Sequence, residues 1–143
     1  MTDEPNAPGR VAALKPINAD VMRQRTKAFG LRVIRLVESL PKQSTAQTLG
    51  KQLLRSGTSV GANYRSACRS RSRREFIAKL GIVEEECDES IFWMELIVES
   101  GFVQESLMRN LIAEAREILA IVVASIRTTR RRERQARSNR ESR

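Results

Sequence analysis

Apolar residues recur in steps of three and four through four long segments of this chain, and very little interrupts them. The breaks are "LPKQS" around Pro41, "SRS" at 70–72 and the lone Gly101. Steps of three and four return side chains to one face of an α-helix, so each segment predicts an amphipathic helix. Three of the four prolines precede residue 17 and the last is Pro41, so no helix interior is broken by one.

In the first segment, Asp20 to Leu40, the stripe is Met22, Thr26, Phe29, Val33, Leu36 and Leu40. Asn18 or Asp20 caps its start and Pro41 closes its end. The second runs from Ser44 to about Arg69 with Ala46, Leu49, Leu53, Ser56, Val60, Asn63 and Ala67 on one face. Gly50, Gly57 and Gly61 lie inside it, each costing roughly 1 kcal/mol against alanine. That cost points to close approach of a neighbouring helix. Asn63 falls on the stripe and reads as a buried polar residue that fixes register, with ligand contact as the minority role.

Ser72 followed by Glu75 and then Phe76 is a capping box at the start of a third helix. Its stripe is Phe76, Leu80, Val83, Cys87, Ile91, Met94 and Val98, and Gly101 ends it. A fourth helix runs from Gln104 beyond Ile126, with Met108, Ile112, Ala115, Leu119, Val122 and Ile126 in register. Leu111, Ile118, Ile121 and Val123 widen this stripe past what a four-helix core needs, which fits a subunit interface.

Four such helices joined by short turns predict an all-α, antiparallel up-down-up-down four-helix bundle. The bundle occupies residues 18–126, behind a mobile arm at 1–17. An Arg-rich tail at 127–143 is expected as a helix extension or a disordered segment. At 143 residues with 41% hydrophobic content the chain is one domain, and with only 4% aromatics its core must be aliphatic.

The net charge of +9 points to an anionic partner (RNA or DNA, an acidic protein or an anionic membrane face) without choosing among them. No apolar run is long enough to span a bilayer and no signal peptide is present, so a cytoplasmic protein without a membrane partner is expected. Antiparallel counting places the turn between helices two and three, the start of helix one and the end of helix four at the same end of the bundle. That end gathers Arg65, Arg69, Arg71, Arg73 and Arg74 with Arg127, Arg130, Arg131, Arg132 and Arg134, and also Arg23 and Arg25. These are the candidate nucleic-acid contacts. A solvated basic surface is the plainer alternative.

The acidic run "EEECDE", Glu84 to Glu89, faces positions 54–59 of helix two by the same counting and is expected to meet Arg55 or a second subunit. A di-metal carboxylate site of the ferritin kind needs histidines, and the chain has none. The absence of histidine also removes the usual general base. No phosphate loop, nucleophile elbow or Cys-His pair occurs. Neither an enzyme, a catalytic residue, a cofactor nor a metal is expected. Cys68 and Cys87 lie about 18 Å apart along the axis, too far for a disulfide. Tyr64 offers base stacking or packing, and packing is the commoner role at helical spacing.

From Ser59 to Met94, "SVGANYRSACRSRSRREFIAKLGIVEEECDESIFWM" resembles the bacterial four-helix bundle family of proteins encoded in intervening sequences of 23S ribosomal RNA genes. Asn63, Ser72, Glu75, Phe76, Leu80, Ile82 and Glu89 match its pattern without a gap. The family's Ala-Glu-Gly is Arg65-Ser66-Ala67 here, and its usual arginine falls at Ser70. No role tied to that glutamate carries over. The resemblance implies a homo-oligomer in the form of a ring-shaped pentamer. It also implies kinship with the accessory protein of diversity-generating retroelements, a positively charged barrel that associates with reverse transcriptase and nucleic acid.

Overall fold

The computed structural model describes residues 19–143. The expected N-terminal arm and a cap at Asn18 therefore lie outside the described residues. Four helices make up the architecture: α1 Ala19–Glu38, α2 Ser44–Ala67, α3 Arg73–Glu99 and α4 Glu105–Glu141. Each packs on its neighbours in sequence, and α1 closes the bundle through a smaller contact with α4.

The helix ends follow from local chemistry. Ser72 is extended and its hydroxyl accepts the Glu75 backbone N–H at 3.1 Å, capping α3. The Glu75 carboxylate does not complete the box on Ser72. It accepts the Arg71 N–H instead, at 3.2 Å. At the other end of α3, Gly101 has φ +81, the N–H of Phe102 donates to the Ile97 carbonyl and that of Gly101 to the Val98 carbonyl. This pair of bonds is a Schellman closure, which needs the left-handed conformation that glycine adopts at no steric cost.

The core contains Phe29, Val33, Leu53, Val60, Leu80, Val83, Met94, Met108, Ile118 and Val122, all at most 1% exposed. Each such side chain contributes about 1.5–3 kcal/mol by leaving water. Four expected positions are corrected, among them Val98, which stands half-buried beside the core while Ile97 is fully buried. Tyr64, not Asn63, is the buried residue of α2 at that level. Asn63 is half-buried and donates to the Ser59 carbonyl of its own helix at 2.8 Å, so it fixes no register. In α4 the core takes Leu111 and Ile118, while Ile112 and Leu119 stand half-buried beside it. The surplus apolar surface on α4 is correspondingly smaller than its composition suggests.

Glycines in α2 set how closely α1 lies. A Cβ on Gly61 would meet the Thr26 carbonyl carbon and oxygen at 3.2 Å, and one on Gly57 would meet both Val33 methyls at 2.8 Å. Between α2 and α3, Ser90 Oγ lies 3.0 Å from Ser56 Oγ and 2.8 Å from the Glu86 carbonyl. Both serines are fully buried, and their hydroxyls satisfy each other and the helix backbones.

Candidate nucleic-acid interface

The charged end is built by three chain segments. Helix α2 ends at Ala67 and α3 begins at Arg73, so Arg65, Arg69, Arg71 and Arg74 ride on a helix end, a short turn and a helix start. All four are exposed. Helix α4 returns to this end and does not stop there. It is one continuous 37-residue helix, and the tail residues form its last turns. Of the expected tail, residues 127–141 are helical.

Arg73 marks where the segments meet, its guanidinium lying 3.8 Å from the Glu133 carboxylate. That distance puts Glu133 level with the first turn of α3. The face of α4 that buries Val122 and Ile126 continues through Thr129, Glu133 and Ala136, which are half-buried. Arg127, Arg130, Arg131, Arg132 and Arg134 are exposed on the remaining surface.

Acids do little to neutralise this end. Among the described residues, Arg65, Arg69, Arg71, Arg74, Arg127, Arg130, Arg131, Arg132 and Arg134 form no salt bridge. Glu75 is engaged by Lys79 at 3.0 Å. That ammonium, with the Arg71 N–H, holds the Glu75 carboxyl below its ordinary range. Its charge serves the capping turn.

Arg25 is drawn away from this end, whereas Arg23 stays beside Arg65 and Arg69. Arg25 turns across to α4 and donates to both Glu114 oxygens, at 2.7 and 2.8 Å, with Glu117 2.9 Å away. The bidentate bond raises the Arg25 pKa and lowers that of Glu114. Arg23 pairs with Asp20 on its own helix. Tyr64 is 8% exposed and cannot offer its ring to a base.

The acidic run lies farther up α3 and behaves as counted. Arg55 of α2 reaches Glu86 at 3.3 Å and also bonds Glu89. Glu89 in addition accepts the Trp93 indole N–H at 3.1 Å. Arg55 first and Trp93 second depress the Glu89 pKa. Asn63, Ser72, Glu75 and Glu89 all serve helix structure. Among the described residues, no three acidic or cysteine side chains gather in a way that could hold a metal ion. Nor is any helix long and apolar enough to cross a membrane.

Sequence reasoning missed a groove between α1 and α2 with a volume of about 590 Å³. Thr26, Gly30, Thr58, Gly61 and Ala62 form its floor, Leu31 and Ile34 its apolar wall. Arg23, Lys27, Arg65 and Arg69 rim it, and no acidic residue lines it. The signal lay in Gly30 and Gly61, which have no side chain to fill the space between the two helices.

Residues 20–124 match the family model described as 23S rRNA-intervening sequence protein. Among solved structures, the chain is similar to a protein of unknown function from the S23 ribosomal protein family of Bacteroides thetaiotaomicron. The two share 30% identity and superpose with a TM-score of 0.72, over 77% of this chain and 98% of that one. No curated protein matches the chain. The family match stops before Arg127, so the arginines of the α4 extension lie outside it.

Proposed function

The chain belongs to the 23S rRNA-intervening sequence protein family, and from that we propose a non-enzymatic, homo-oligomeric helical bundle that binds RNA or other nucleic acid through its basic end. One observation carries this reading. Nine arginines without a salt bridge among the described residues crowd one end of the bundle, where Glu75 and Glu133 are already engaged. Such a surface attracts phosphates and releases their counterions, so binding is phosphate-driven and weakly sequence-selective.

The oligomer is proposed as a ring, the pentamer implied by the family resemblance. Leu31 at 46%, Ile82 at 43% and Phe92 at 51% exposure on α1 and α3 supply apolar surface for a subunit contact. In a ring, like ends lie side by side and their fields add.

A second reading rests on the α1–α2 groove. An apolar wall, a floor of small residues and an all-cationic rim fit an acidic amphipathic helix of a protein partner. In that case the chain is an oligomeric scaffold, and nucleic-acid binding is incidental.

The test is binding of single- and double-stranded RNA and DNA across a salt series, with mass followed by light scattering. The proposal expects an oligomer whose affinity falls steeply as salt rises. No binding at low salt overturns it in favour of the acidic partner.

A further inference from the structure

The extension of α4 is a helical arm. Glu133 is level with the first turn of α3, so residues 134–141 run about 12 Å beyond that level at 1.5 Å per residue. A helix this short is marginal on its own, but here it only lengthens one already formed by packing, which removes the nucleation cost. Arginine is a good helix former, and Arg140 in the last turn complements the helix dipole.

The arm has a charged side. Arg127, Arg130, Arg131, Arg134 and Arg137 fall within an arc of about 120° at 100° per residue. That arc is centred about 120° round from the face of Ile126, Thr129, Glu133 and Ala136, which follows the core, and Arg132 and Arg140 fall outside it. The stripe is about 15 Å long, and all five arginines are exposed.

We infer that this arm lies in the major groove of duplex DNA. The inference rests on the nucleic-acid reading above and names the form that would be bound. An α-helix with its side chains is about 10–12 Å across, and the B-DNA major groove, about 12 Å wide, admits it. The major groove of duplex RNA is too deep and narrow to do so. Single strands are held by stacking their bases on exposed aromatics. At this end Tyr64 is buried and Phe76 half-buried, so that platform is missing.

The test is fluorescence anisotropy of the full chain with duplex DNA, duplex RNA and single strands of equal length and mixed sequence. Three proteins are compared: wild type, the charge variant R131Q/R134Q, and Gln135→Pro, which breaks the arm but keeps every arginine. Duplex DNA is expected to bind about tenfold more tightly than duplex RNA, the groove geometries being the cause. The charge variant removes two phosphate contacts and should reduce the slope of log K against log salt by about 1.8. Gln135→Pro should erase the preference for duplex DNA. Equal or tighter binding of RNA or single strands, or a preference that survives Gln135→Pro, overturns the inference and leaves the basic end standing. No binding of any nucleic acid at low salt overturns both.

Discussion

Arg73, in the first turn of α3, and Glu133, deep in the α4 extension, lie 3.8 Å apart. Sixty positions separate them in the chain, and their approach gathers the basic turn and the basic arm into one surface. Arg73 is exposed and Glu133 half-buried, and at 3.8 Å the pair adds only about 0–1 kcal/mol to stability. Its weight is electrostatic. Glu133→Gln removes one of the few acids at this end and frees Arg73. Nucleic-acid affinity should rise severalfold at low salt, with an unchanged thermal midpoint. Weaker binding, read in the same anisotropy titration, would contradict a phosphate-attracting surface here.

Glycines of α2 and α3 should respond to alanine with opposite signs. At Gly57 the new methyl meets Val33, which is wholly buried and cannot move aside. Overpacking of about 1–3 kcal/mol outweighs the gain of about 1 kcal/mol in helix propensity. At Gly81 nothing lies within 4 Å, so only the gain remains. Urea unfolding of Gly57→Ala should show a loss and that of Gly81→Ala a gain of up to about 1 kcal/mol.

The fold was legible where a residue's role depends on its own helix. Ser72 and Gly101 are local signals, and each starts or ends a helix as expected, although the Glu75 carboxylate bonds Arg71 rather than closing the box. The pairing of Arg55 with Glu86 and Glu89 followed from counting along an antiparallel hairpin. Face assignment failed where two adjacent residues were both plausible. Asn63 kept the three-four step but lost to Tyr64, whose larger apolar surface gains more from burial. Leu111 and Ile118 displaced Ile112 and Leu119, although both pairs keep three-four steps with Met108, Ala115 and Val122. For a related reason the sequence left a helix extension and disorder as alternatives for the tail. It has no continuous apolar face, and its helicity is inherited from the packed turns before it.

The Arg25–Glu114 bond links α1 to α4 across the least extensive of the helix contacts. The guanidinium holds the Glu114 carboxyl below its ordinary value of 4.5. A lowered carboxyl contributes stability that is fully present above that value and is lost as pH falls through the folded pKa. Stability of the wild type should therefore drop below about pH 4.5, the onset set by the unfolded carboxyl. Glu114→Gln should cost on the order of 1 kcal/mol at neutral pH and flatten the acid limb. Equal acid limbs in urea titrations of the two proteins would remove this pair from the account.

Thiol chemistry offers a check on packing. Cys87 is fully buried, its S–H donates to the Ala115 carbonyl at 3.0 Å, and burial pushes the thiol up to about 12. Cys68 is half-buried at the basic end. Alkylation of the native protein at pH 8 should label Cys68 and spare Cys87 until the chain unfolds, because only the thiolate reacts. Equal labelling rates in peptide maps would show that α3 and α4 separate readily.

The most direct measurement compares the full chain with a variant ending at Ile126, the last core residue of α4. Affinity for one oligonucleotide at low salt and mass by light scattering are read on the same samples. A basic end that binds nucleic acid predicts a large loss of affinity with the oligomer intact, since eight of the arginines go and no buried residue does. Undiminished affinity would contradict it.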